Sequence, residues 1–268
     1  MQPLNYSLHY SIWHTEKTRE HDINYAKSYL QLHSLFPSDK DARILDIGCA
    51  LGNYLLAFQQ EGFSNCEGVE LDSHLAESCR KQGMRVTEGT GRDFLSQTNS
   101  IYDAIILFDV LEHIAKEEQF SLIQNAYKHL SETGFLAISV PNALAPLSFS
   151  FFNIDWTHHC SFTPISLQFL LLNAGFHHST FRPSHQESIE IRQLKKPWID
   201  LYKAEFNIDN PILTPSLMSI SFKSEAKLLE YQATAKDLLS FSTSSPKQDT
   251  FIRRSKRAIK ETIKKILS

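Results

Sequence analysis

The sequence is poor in cysteine and has no long apolar run. Its cysteines include no Cys-x-x-Cys pair, which argues against a disulfide framework; they are Cys49, Cys66, Cys79 and Cys160. No stretch of 18 or more apolar residues occurs, so we expect no membrane-spanning helix. The first ten residues lack a basic stretch followed by an apolar one, so we expect no secretion signal. These absences favour a cytoplasmic protein with reduced thiols.

Charge is unevenly distributed along the 268 residues. The chain has a net charge of −3, yet residues 251–268 contain seven Lys or Arg and a single acid, Glu261. An acidic body with a basic tail does not indicate a nucleic-acid-binding domain. Isoleucines of the tail share one face of a predicted amphipathic helix, which predicts docking on an anionic membrane surface or on a protein partner.

The segment 43–54 reads as a strand, a turn of small residues and the start of a helix. Ile44, Leu45 and Ile47 are strand formers, and such an apolar run suits a strand buried on both faces. Gly48 and Gly52 allow a sharp turn and the close approach of a ligand to the backbone. The helix that follows directs its N–H groups and the positive end of its dipole at that ligand.

Asp46, Gly48, Ala50 and Gly52 follow the pattern Asp-x-Gly-x-Gly-x-Gly, with Ala50 in the middle slot. This pattern resembles motif I of the class I S-adenosylmethionine-dependent methyltransferases. The resemblance implies that these four residues and Cys49 bind S-adenosylmethionine, which would leave as S-adenosylhomocysteine.

The ends of the next two predicted strands carry further acids. Glu70 lies 22 positions after Gly48, where a carboxylate accepts hydrogen bonds from ribose hydroxyls, and Leu71 follows it. A surface glutamate at a strand end is the alternative. In the resembling family, an acid after the third strand bonds the adenine amino group beside an apolar side chain. Asp93 and Phe94 match that pair, although an N-cap aspartate with a core phenylalanine explains them equally well.

The phrase Phe-Asp-Val-Leu-Glu-His-Ile, residues 108–114, follows the fourth predicted strand. It resembles the corresponding motif of small-molecule methyltransferases. The resemblance implies that Phe108, Asp109 and Val110 line the methionine end of the cofactor site. It also places His113 toward the acceptor, where the alternative is an ordinary polar contact at a helix start.

Residues 155–176 resemble a methyltransferase branch found in the tailoring of surface polysaccharides and small molecules. The matching pattern is Asp-x-x-His-x-x-x-Phe-Thr-Pro followed by a leucine-rich helix and Ala-Gly-Phe. His158, or the adjacent His159, could accept a proton from the acceptor hydroxyl. Three consecutive residues, His158, His159 and Cys160, cannot easily point at one ion, so we expect no metal site.

The alternation of strands and helices predicts an α/β fold. The resemblance specifies a Rossmann-like, seven-stranded and mostly parallel sheet with helices on both faces. We divide the chain into an N-terminal helical cap (1–37), a methyltransferase domain (38–223, with an insertion at about 184–216) and a helical, basic C-terminal tail (224–268).

The predicted function is S-adenosylmethionine-dependent O-methylation of a glycan, a sugar or a lipid-linked saccharide during surface-polysaccharide biosynthesis. The protein is then cytoplasmic, with a peripheral position on the inner face of the membrane if the tail docks there. A quinone-like or other small acceptor is the nearest alternative. Two alternatives outside this class are an NAD-binding sugar-modifying oxidoreductase and a non-catalytic cofactor-binding subunit.

Overall fold

A computed structural model describes residue 8, residues 18–235 and residues 241–242. The basic segment 251–268, with its predicted docking role, lies outside the described residues. Helices and strands alternate through the described part of the chain, and their bounds are α1 (Arg19–Leu32), β1 (Ile44–Ile47), α2 (Asn53–Gln60), β2 (Cys66–Glu70), α3 (Ser73–Lys81), β3 (Val86–Glu88), α4 (Gly91–Gln97), β4 (Tyr102–Phe108), α5 (Lys116–His129), β5 (Leu130–Pro141), α6 (Ser148–Asn153), α7 (Pro164–Ala174), β6 (His178–Pro183), α8 (Ile189–Leu194), α9 (Lys196–Phe206), β7 (Ser216–Phe222), α10 (Glu225–Thr234) and β8 (Phe241–Ser242).

The strands form one sheet in the order β3-β2-β1-β4-β5-β7-β6-β8. The first five pair in parallel, whereas β7 runs antiparallel to both β5 and β6. The predicted seven-stranded, mostly parallel fold is therefore confirmed, with a two-residue eighth strand added at the edge. Among the described residues, none of the helices combines the length and the apolar composition that a membrane span requires.

Helices cover both faces of the sheet. Successive residues of a strand point to opposite faces, so they pack against different helices. Ile44 packs with the apolar side chains of α1, α2, α3 and α10 on one face. Leu45, the next residue, packs with those of α4, α5 and α7 on the other face. Burial on both faces explains why β1 and β4 read as continuous apolar runs rather than as alternating ones.

The carboxyl ends of the parallel strands meet at one edge of the sheet, where an open α/β fold binds its ligands. Asn142 follows β5 directly, at the edge where side chains can face that crevice. It is instead fully buried, and its amide donates to the carbonyl oxygens of Ile212 (2.8 Å) and Thr214 (2.9 Å). Asn142 therefore anchors the end of the 184–216 insertion, which contains helices α8 and α9.

A buried polar contact joins α1 to α10 and β6. The Tyr231 hydroxyl donates to the carbonyl of His33 (2.6 Å) and accepts from Arg182. The His33 ring is itself fully buried, with Nε2 3.1 Å from the Ser184 carbonyl oxygen. A carbonyl oxygen only accepts, so Nε2 carries the proton. Burial, with a smaller effect of Arg182, lowers the pKa of His33 to about 4.

We predict that His33→Gln reduces the acid sensitivity of folding. The unfolded chain binds the proton at the ordinary pKa of 6.5, above the folded value of about 4, so the stability that neutral His33 provides is lost as the pH falls through this window. Between pH 7 and pH 5 the loss amounts to about 2 kcal/mol. Glutamine keeps a donor for Ser184 but does not titrate. Urea unfolding at both pH values should show a smaller drop in the free energy of unfolding for the variant than for the wild type. Equal drops in the two proteins would contradict this role of His33.

Candidate active site

A cavity of about 1110 Å³ opens at the carboxyl edge of the parallel strands. Its walls come from the turn after β1, the ends of β2 and β4, and the loop before α4. Helix α1 closes one side with Asp22, Tyr25 and Ala26, and the segment after β5 closes another with Ile154, Asp155, Thr157, His158 and His159. Most of the residues expected at the site lie in this wall, namely Asp46, Gly48, Cys49, Ala50, Glu70, Leu71, Phe108, Asp109, Val110, His113, His158 and His159.

The turn after β1 is a run of left-handed backbone at Gly48 (φ +74°), Ala50 (φ +47°) and Gly52 (φ +72°). The amides of Gly48 and Cys49 donate to the Val69 carbonyl at 2.7 and 3.1 Å, which fastens the turn to β2. A Cβ at position 48 would lie 2.4 Å from Val110 Cγ2, so the turn and the end of β4 pack too closely for any side chain there. The glycine is therefore required by both conformation and packing.

Glu70 connects this turn to the end of β2. Its Oε2 accepts from the Ala50 amide (2.7 Å), and its Oε1 accepts from the Asp72 amide (2.8 Å). Each carboxylate oxygen has a second lone pair, so both can still accept from a ligand hydroxyl. Burial raises the pKa of Glu70, while the two amides oppose that rise. Asp72 caps α3 by accepting from the amides of His74 and Leu75.

Asp46 and Asp109 add further acidic groups to the wall of the cavity. Asp46 is 2% exposed, and its Oδ2 has no hydrogen-bond partner among the described residues. Burial, reinforced by Glu70, raises its pKa. Asp109 sits in left-handed backbone (φ +56°) and accepts from Ser139 Oγ at 3.1 Å. A cationic ligand is what this wall would bind most favourably.

Three residues expected at the site lie outside the cavity wall. Gly52 begins α2, and a Cβ there would lie 2.5 Å from Met84 Sδ, so its position serves packing. Asp93 is exposed and pairs with Arg92, and Phe94 of α4 packs against the core. Thr90, not Asp93, caps α4 by accepting from the Asp93 amide. Gly91 and Arg92 take the expected place in the wall.

In the same cavity wall, two imidazoles lie against each other with ring centres 4.7 Å apart. His113 Nδ1 is 2.8 Å from Thr157 Oγ1, and His158 Nδ1 is 2.8 Å from the Phe152 carbonyl oxygen. Burial and the neighbouring His158 lower the pKa of His113 to about 4, so it is neutral near pH 7. His159 is exposed, and its backbone amide donates to the Glu112 carbonyl (2.7 Å).

Sequence reasoning overlooked Glu112, which lies behind the imidazole pair. It is 1% exposed and belongs to a short 3-10 turn, Leu111–His113. One carboxylate oxygen of Glu112 and one ring nitrogen of each histidine lie within 4.8 Å of one another. Acidic and imidazole side chains recur within residues 109–113, which was a visible signal of a functional cluster. No periodicity in the sequence indicated which of these side chains point inward.

A family model described as a methyltransferase domain matches residues 19–178 of this chain. The chain belongs to the methyltransferase family. The methyl donor is S-adenosylmethionine, and the cavity fits it, because the partnerless Asp46 oxygen and the neighbouring carboxylates suit its ammonium and sulfonium charges. The fold matches a solved S-adenosylmethionine-dependent methyltransferase from Archaeoglobus fulgidus at 22% identity with a TM-score of 0.59, covering 74% of this chain and 93% of that one.

Two curated relatives are named ubiquinone biosynthesis O-methyltransferase. The protein from Rickettsia prowazekii is 24% identical over 204 residues, which cover 72% of this methyltransferase and 77% of the relative. The protein from Rickettsia canadensis is 24% identical over 183 residues, which cover 63% and 71%.

We predict that Glu70→Ala weakens cofactor binding by roughly 1–3 kcal/mol, because the variant loses charge-assisted hydrogen bonds that hold the turn. Titration calorimetry with S-adenosylhomocysteine measures the change. As a control, Glu77→Ala removes a glutamate from the exposed face of α3 and should bind S-adenosylhomocysteine like the wild type. Equal affinities in the wild type and in Glu70→Ala would show that the carboxylate does not organise the cofactor site.

Proposed function

We propose that this methyltransferase acts on a hydroxyl oxygen of a lipid-linked acceptor. The observation that carries the proposal is the segment 147–158, which is at once a wall of the cavity and an exposed apolar surface. Leu147, Phe149 and Trp156 are 65%, 80% and 89% exposed, while Asp155, Thr157 and His158 of the same segment line the cavity. Grouped exposed apolar side chains at the mouth of a site indicate a membrane or an apolar ligand.

The size of the cavity supports two ligands. A volume of about 1110 Å³ exceeds the roughly 300–1,000 Å³ typical of a pocket for one drug-sized molecule. We assign the carboxylates of Asp46 and Glu70 to the donor end, where the cofactor supplies an activated methyl group. The imidazoles of His113 and His158 lie at the other end, where an acceptor hydroxyl would give up its proton. The chain's own contribution is to hold both ligands in line and to exclude water.

Two acceptor head groups fit this arrangement. The resemblance of residues 155–176 favours a saccharide of surface-polysaccharide biosynthesis. The names of the two Rickettsia proteins favour a phenolic precursor of a quinone, and in both cases the lipid would lie along the apolar segment. Both are O-methylations, so they require the same donor and the same removal of a proton.

Transfer of a labelled methyl group tests the proposed reaction. The full chain is incubated with methyl-labelled S-adenosylmethionine and either a polyprenyl-linked saccharide or a polyprenyl phenol, each paired with its short-chain, water-soluble analogue. We expect labelled methyl ether in one lipid-linked series and at least tenfold lower kcat/KM with the matching soluble analogue. Equal kcat/KM for the soluble analogue would contradict the lipid-linked assignment, and label only on nitrogen or carbon would contradict O-methylation.

We also predict that the apolar segment binds lipid. Replacing Phe149 and Trp156 by serine removes its two most exposed aromatic side chains and should reduce pelleting with anionic liposomes at least fivefold. Leu229→Ser changes an exposed apolar residue on α10, outside this segment, and should pellet like the wild type. A parallel chain lacking residues 251–268 separates the contribution of the basic tail. Unchanged pelleting of the Phe149/Trp156 variant in both backgrounds would overturn the role of the segment.

A further inference from the structure

Glu112, His113 and His158 form a compact cluster at the acceptor end of the cavity, here called the His-Glu cluster. One donor atom from each of them lies within 4.8 Å of the other two, and His158 Nε2 is 3.9 Å from Glu112 Oε1. Two ligands on one tetrahedral zinc ion are about 3.4 Å apart, because each ligand bond is about 2.0–2.2 Å long. Shifts of roughly an ångström would therefore bring the three atoms onto one ion.

The hydrogen bonds of the cluster fix both imidazoles in the tautomer that binds a metal through Nε2. The Phe152 carbonyl only accepts, so His158 carries its proton on Nδ1. The Thr157 hydroxyl donates its single proton to Asp155 Oδ1 (2.6 Å). It must therefore accept from His113 Nδ1. In each ring, Nε2 therefore holds the lone pair. A histidine whose other nitrogen donates to a carbonyl or to a carboxylate-linked group is the usual arrangement around a metal.

Glu112 is the independent observation that points to a ligand. Its side chain is 1% exposed, and its Oε2 has no hydrogen-bond partner within the described part of the chain. Burying a carboxylate without a partner is costly, and a bound cation removes that cost.

We propose that the His-Glu cluster binds one divalent transition-metal ion through Glu112, His113 and His158. Two imidazoles and one carboxylate form a donor set that suits zinc, manganese, cobalt or ferrous iron, and that leaves coordination positions open toward the cavity. Magnesium and calcium prefer all-oxygen sites and should bind less tightly. Thr157 and Asp155 are positioning residues, because they act on His113 rather than on the ion.

The ion would activate the acceptor, a role that rests on the proposed function. A hydroxyl oxygen coordinated at an open position would become more acidic and release its proton to solvent, so His113 and His158 would then serve as ligands rather than as the base. The resulting oxyanion attacks the methyl carbon of S-adenosylmethionine. The C–O bond forms as the C–S bond breaks, and the sulfur keeps the electron pair as the neutral thioether of S-adenosylhomocysteine.

Metal binding is measured first without acceptor or cofactor. The full chain is treated with a chelator, dialysed and titrated separately with Zn²⁺, Mn²⁺, Co²⁺ and Mg²⁺ by calorimetry, and the visible spectrum is recorded with Co²⁺. We expect one transition-metal ion per chain, bound at least tenfold more tightly than Mg²⁺. Glu112→Gln and Thr157→Val should each weaken binding 10- to 100-fold. His159→Ala, which removes the neighbouring histidine outside the cluster, should bind metal like the wild type.

The outcomes separate this inference from the proposed function. Thermal melts and S-adenosylhomocysteine titrations verify that each variant is folded, with cofactor affinity within twofold of the wild type. Absence of a bound ion overturns the metal site while leaving the methyltransferase intact. The same conclusion follows if His159→Ala loses more metal affinity than Glu112→Gln and Thr157→Val do. Chelated protein that methylates its acceptor at the full rate overturns the activating role. Failure to bind S-adenosylhomocysteine would instead strike the cofactor assignment, whatever the metal result.

Discussion

The cofactor end of this protein depends on the carboxylate of Glu70. One oxygen holds the Ala50 amide inside the turn after β1, and the other holds the Asp72 amide at the start of the next loop. Without these contacts, two partly buried amides would need other partners, and one of them belongs to a turn whose backbone is left-handed at three positions. The same carboxylate keeps lone pairs for ligand hydroxyls, so the group that shapes the turn is also available to recognise a sugar.

The predictable part of the fold is the part that local sequence determines. Local patterns account for the apolar runs of β1 and β4, the Thr163 cap before Pro164 and the Asp72 cap of α3. Parallel strands then bring their carboxyl ends to one edge, so Asp46, Glu70 and Asp109 meet although they lie far apart in the chain. Residues that follow strand ends were thus placed well.

Side chains whose direction is set by packing are harder to place from the sequence. Helix α4 begins at Gly91, where a Cβ would lie 2.4 Å from Ile47 Cγ2, and this start turns Asp93 to solvent. Asn142 follows a strand like the acids do, yet tertiary contacts direct its amide to the 212–214 backbone. Glu112 lies in a three-residue turn without helical periodicity. Its proposed chemical role depends on His158, which lies 46 positions later in the sequence.

In the function proposed above, one crevice binds the cofactor beside the carboxylates and the acceptor beside the imidazoles. The most direct measurement is a calorimetric titration of the wild-type chain with S-adenosylhomocysteine and, separately, with NAD. We predict saturable binding of S-adenosylhomocysteine at one site per chain and no detectable binding of NAD. Binding of NAD without binding of S-adenosylhomocysteine would contradict the assignment of this crevice to a methyl donor.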